Sequence, residues 1–95
     1  MSNVVAIETS VQGATAEQVE EAIAVPLEQA LHGLPGVTWV RSSSTDGACR
    51  IEVEYDGEPT EQALHRAGSI AFEAWKKFSI PATEPHASLD RPRIP

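Results

Sequence analysis

The sequence predicts an α+β domain: one antiparallel sheet covered on a single face by two helices. Apolar and polar residues alternate in residues 4 to 11 and again through 37 to 55, the pattern of half-buried strands. Two apolar stripes at helical spacing lie in 16 to 31 and 61 to 78. The resulting order is strand, helix, strand, strand, helix, with a weaker strand at the end. In a chain of 95 residues both stripes must share one sheet face.

In residues 4 to 11, Val5, Ile7, Thr9 and Val11 fall on one side, with Val4, Ala6, Glu8 and Ser10 on the other. Gly13 turns the chain. Thr15-Ala16-Glu17-Gln18 fits a capping box, in which the Thr15 hydroxyl accepts from the third helical amide and Gln18 reaches back. The first stripe then runs through Val19, Ala22, Ile23, Pro26, Leu27, Ala30 and Leu31. Pro26 interrupts it without shifting its register. An interior proline removes an amide and crowds the preceding turn, at about 3 kcal/mol in an isolated helix. The unbroken stripe predicts one helix, bent at residues 22 to 26. Gly33 is expected to give the left-handed stop, and Pro35-Gly36 to prevent resumption.

Residues 37 to 43 and 48 to 55 read as two strands joined through Ser44-Thr45-Asp46-Gly47, and Asp-Gly between alternating runs is a strong hairpin signal. Cys49, Ile51, Val53 and Tyr55 make the apolar face of the second strand, and Arg50, Glu52 and Glu54 face away. Val40, Thr38 and Ala6 are expected beside these charges, which makes Val40, Arg50, Glu52 and Glu54 a candidate interface for another sheet or domain. Thr60 is the expected N-cap of the second helix. Its stripe is Leu64, Ala67, Gly68, Ala71, Phe72, Trp75 and Phe78, and Ser79-Ile80-Pro81 ends it. The stretch from His86 to Ile94 reads as a short strand that Pro92 would confine to a sheet edge, after a proline-rich connection. The whole is a ferredoxin-like βαββαβ split sandwich, a single domain over residues 1 to 95.

Charge narrows the partners. Fourteen acidic side chains face seven basic ones, and all five charges before position 40 are glutamates, so a phosphate backbone would be repelled. Nucleic acid is therefore excluded as the expected partner. Nothing approaches the roughly 18 consecutive apolar residues of a membrane span, and the first residues have no secretory pattern.

His32, His65, His86 and Cys49 are the only imidazole and thiol groups, all more than fifteen residues apart in sequence. Metal sites usually announce themselves by close spacing on one element, so no metal or cofactor is expected. Cys49 on an apolar strand face reads as a small buried hydrophobe. Glu17, Glu20, Glu21 and Glu28 read as one solvated helix surface, and no catalytic motif occurs, so an enzyme is not expected.

Residues 13 to 60 carry a further signal. Gly13-Ala14-Thr15, Glu17 to Glu20, Val25-Pro26-Leu27-Glu28-Gln29-Ala30-Leu31, Gly33-Leu34-Pro35-Gly36-Val37 and Ser42 to Gly47 follow in one collinear block. This series resembles the N-terminal porter subdomain of resistance-nodulation-division (RND) efflux transporters. That family has a helix with the same mid-helix proline, then a Gly-Leu-Pro-Gly-Val loop and a serine-rich hairpin with Asp-Gly. The block departs at Val11-Gln12, where the family has Tyr-Pro, and the second helix is similar only in position and length. Thr15, Pro26, Gly33, Gly36, Asp46 and Gly47 are the structural positions the resemblance marks. It implies a porter subdomain on the periplasmic side of the inner membrane, moving against sister domains during export, without catalysis of its own. The alternative is a free-standing, cytoplasmic, ferredoxin-like dimer that binds a small hydrophobic molecule or regulates.

Overall fold

The computed structural model describes residues 3–57 and 59–89. Strand β1 (Val4–Ser10) is followed by helix α1 (16–31), the hairpin β2 (Val37–Thr45) and β3 (Ala48–Tyr55), helix α2 (Glu61–Trp75) and strand β4 (His86–Leu89). The strands form one antiparallel sheet in the order β2-β3-β1-β4, which puts β2 and β4 at the edges. Asp90 to Pro95, including Pro92, lie outside the described residues, so the expected last strand is seen only over its first four positions.

The core lies between the sheet and the two helices. Val5, Ile7, Ile51 and Val53 from the sheet and Val19, Ile23, Leu27, Leu31, Ala67 and Ala71 from the helices are all fully buried. At roughly 1.5 to 3 kcal/mol for each large side chain, this one layer supplies most of the favourable energy of folding. The molecule measures 35 × 32 × 18 Å, a two-layer slab of sheet and helices. The connection after α2 is pinned at both sides: Trp75 Nε1–H, at the end of α2, donates to the Ala82 carbonyl (2.8 Å), and the Thr9 hydroxyl of β1 donates to the Thr83 carbonyl (2.6 Å).

Helix α1 starts as its sequence dictates. The Thr15 hydroxyl accepts from Gln18 N–H (3.2 Å), and the Gln18 side chain accepts from Thr15 N–H (2.9 Å). Asp46, at the tip of the β2–β3 hairpin, adds a second cap by accepting from Ala16 N–H at 2.8 Å. Hairpin and helix start are thereby locked together. The helix runs through Pro26 without a non-helical break, as the continuous stripe requires. The adjustment is a π-helical turn over Glu20–Ala24, in which Val25 N–H reaches the Glu20 carbonyl, five residues back. The wider turn immediately before Pro26 makes room for its ring.

Several expectations are corrected. Gly33 is not left-handed; the chain leaves α1 through a further right-handed turn in which Leu34 N–H bonds the Leu31 carbonyl. The positive φ is deferred to Gly36 (+83°), where the chain reverses into β2. Helix α2 ends at Trp75 with Lys76 as its cap, so Phe78 lies beyond the helix, and Phe72 is 37% exposed rather than buried. Thr60 caps α2 as expected, accepting from Ala63 N–H at 3.0 Å.

Candidate interface on the outer sheet face

Strand alternation divides every residue of the sheet between a face toward the helices and an outer face. The irregularity in β2 decides how that division falls. Val37 pairs with Tyr55 but Trp39 pairs with Glu54, a shift that consumes one extra residue. A one-residue bulge flips the parity of everything after it. Val40 therefore lies opposite Val53 and packs against the core, so it does not belong to the candidate interface. Trp39 and Arg41 take the outward positions that strict alternation from Val37 would have denied them.

Arg50, Glu52 and Glu54 do face outward, and the pairing places them in rows across the sheet. Trp39, Glu54 and Val4 form one row; Arg41, Glu52, Ala6 and Ser88 the next; Ser43, Arg50, Glu8 and His86 the third. The charges alternate along a connected path over three strands. Arg41 Nε lies 3.1 Å from Glu52 Oε1, Arg50 Nε 3.6 Å from Glu52 Oε2, and an Arg50 terminal nitrogen 3.5 Å from Glu8 Oε2. The Arg41 guanidinium also sits 4.7 Å above the Trp39 ring, and the Thr38 hydroxyl donates to Glu54 at 3.0 Å. Glu52, with both arginines on it, is the most covered member at 25% side-chain exposure. Exposed pairs of this kind add little to stability individually, so their value lies in orienting one another.

The serines of β2 have a role that sequence reasoning missed. With the parity flipped, Ser42 and Ser44 face the helices, and their hydroxyls donate to Glu28 (2.9 Å) and Glu20 (2.8 Å). The expected solvated surface of α1 is thus split: Glu17 and Glu21 are exposed, while Glu20 and Glu28 are half-buried and tie α1 to the sheet edge. Alternation with a bulge was the only signal that could have found them.

Cys49 lies beneath these contacts, 3% exposed. Burial pushes its thiol up to about 11, with the Glu20 carboxylate adding to the rise and the Ser44 hydrogen bond opposing it. At neutral pH it is a protonated thiol, unsuited to attack or to metal ligation. His32, His65 and His86 are all exposed and on different elements. Among the described residues no three His, Cys, Asp or Glu side chains are grouped to hold a metal, and no helix is long and apolar enough to cross a membrane.

The model of the AcrB/AcrD/AcrF family matches residues 2–71. The chain belongs to that family. It is 36% identical over 84 residues to the swarming motility protein SwrC of Bacillus subtilis (strain 168), a match covering 86% of this chain and 8% of SwrC. Among solved structures, this AcrB/AcrD/AcrF-family domain superposes on the crystal structure of a heavy metal efflux pump with a TM-score of 0.70 and 29% identity. That match covers 92% of this chain and 9% of the pump. The chain therefore spans less than a tenth of the length of each relative. It is an α+β, RND-type, efflux-pump-like domain.

Proposed function

We propose that the chain serves as a porter subdomain of an RND efflux pump, on the periplasmic side of the inner membrane, exporting substrate by packing and moving against sister domains. Catalysis has no part in that role. The observation that carries the reading is the outer sheet face: a two-layer slab presents a connected, alternating-charge surface where a neighbouring domain would sit. The closed core and the α1 latches suit a body that moves as one piece.

A chimera tests this. Residues 4–89 replace the matching segment of SwrC in Bacillus subtilis, and swarming is measured. Swarming above that of a strain lacking the segment is expected; a chimera made in normal amounts that does not swarm would overturn the reading.

A second reading, a free-standing binder of a small hydrophobe, has one observation in its favour. Pro26, Ala30, Ile70, Ala74 and Phe78, together with Gln29, Glu73 and Lys77, line an open groove of about 540 Å³ between α1 and α2. The space between sheet and helices is filled by the core and leaves no room for such a ligand. Saturable binding of a hydrophobic dye, displaced by Ala30→Trp, would favour this alternative.

A further inference from the structure

The outer face is complementary to itself. Consider a two-fold axis running across the strands, midway between the row of Glu52 and the row of Arg50. Rotation about it lays a second copy face to face and exchanges those rows. Every Arg50 then lies over the partner copy's Glu52, and the reverse, a reciprocal pair of opposite charges. In the same rows the register puts Arg41 over Ser43 and Glu8 over Ala6, a long charged side chain over a small residue each time. One row further out, Trp39 meets Thr45 and Glu54 meets Ala48, again large over small. Ala6 is 1% exposed, closed over by its neighbours, so the second copy's Glu8 would rest on the side chains around Ala6 and not on Ala6 itself.

We infer that the outer sheet face is a homodimerisation surface, in which a second copy of this chain packs about a two-fold axis through reciprocal Arg50–Glu52 pairs. This deepens the packing role proposed above by naming a partner for the free chain; in a pump, a sister domain of the same fold would take that position. Four strands about 4.8 Å apart and four rows of roughly 6.8 Å give on the order of 500 Å² per copy, or about 1,000 Å² in total. That is the low end of specific interfaces, so the dimer is transient, with a Kd on the order of micromolar to millimolar. Isologous contacts of this kind close on themselves and do not grow into fibres.

The experiment is sedimentation velocity on the 95-residue chain, from about 10 μM to about 1 mM, at low and high salt. Wild type is expected to dimerise, more strongly at low salt. Arg50→Glu and Glu52→Arg each put like charges opposite one another in the homodimer and are expected to weaken it at least tenfold. Mixing the two variants restores opposite charges across the axis, and a heterodimer is expected. Circular dichroism of each variant controls for folding. A wild-type monomer at the highest concentration would overturn the inference, as would a dimer indifferent to both charge reversals, which would point to pairing of the β2 edge. A monomeric chain whose SwrC chimera still swarms would remove this dimer and leave the porter reading standing; a dimer with a silent chimera would do the reverse.

Discussion

The two faces of one sheet are built from the same four strands, often from adjacent residues, yet they differ in what they do. Ile51 is fully buried beneath the helices, while Glu52, the next residue, lies on the outer face between two arginines. The inner face stabilises through apolar area removed from water, a term that is large and indifferent to orientation. The outer face contributes little energy by itself, but its charges are ordered in space, and order is what a partner can read. In this domain, the alternation of a strand separates the stabilising face from the face proposed to meet a partner, one residue at a time.

The contrast can be broken most strongly from the inside. Ile51→Ala is expected to cost about 2 to 5 kcal/mol, measured by urea denaturation, because the cavity it leaves is walled by helices that relax only partly. A loss below about 1 kcal/mol would mean that the inner face is not the stabilising one.

Next in size is the pH response of Cys49. Its thiol is raised from 9.0 to about 11 in the folded chain, so the unfolded chain loses its proton first. The folded state's advantage is complete below about pH 9 and is lost as pH rises through about 11, a decline on the order of 2 to 3 kcal/mol. Burial raises Tyr55 as well, which acts in the same direction at the upper end of that window. Cys49→Ala should flatten the stability curve between pH 9 and 11.

Asp46→Ala removes the hairpin's cap on α1 and should cost about 1 kcal/mol, with faster hydrogen exchange at the Ala16 amide. The smallest effect belongs to the outer face: Glu52→Gln should shift the stability of the dilute monomer by less than about 1 kcal/mol, and less still at high salt.

What could be read from the sequence follows the range of the forces involved. The Thr15 cap and the inner-face residues of β1 and β3 were legible because capping and alternation act over a few residues. The continuity of α1 through Pro26 was legible too, although the π-helical form of the adjustment was not. Three features escaped because they depend on pairing between distant segments. Val40 was placed on the wrong face because the bulge near Thr38 is fixed by β3, not by β2 itself. Glu20 and Glu28 were assigned to solvent because Ser44 and Ser42 reach them only after that parity change. Gly33 was given the left-handed turn because glycine after a helix usually takes it, whereas the reversal into β2 needs it at Gly36. The trio Arg41, Glu52 and Arg50 was half visible: the alternation gave the β3 charges, and the bulge supplied Arg41.

On the proposed reading, the outer face recognises a partner and does not hold the fold. The most direct test is the swarming of Bacillus subtilis carrying the SwrC chimera with Glu52→Arg in the grafted domain. Swarming lost at an unchanged level of chimeric protein is the predicted result; swarming equal to that of the unaltered chimera would contradict it.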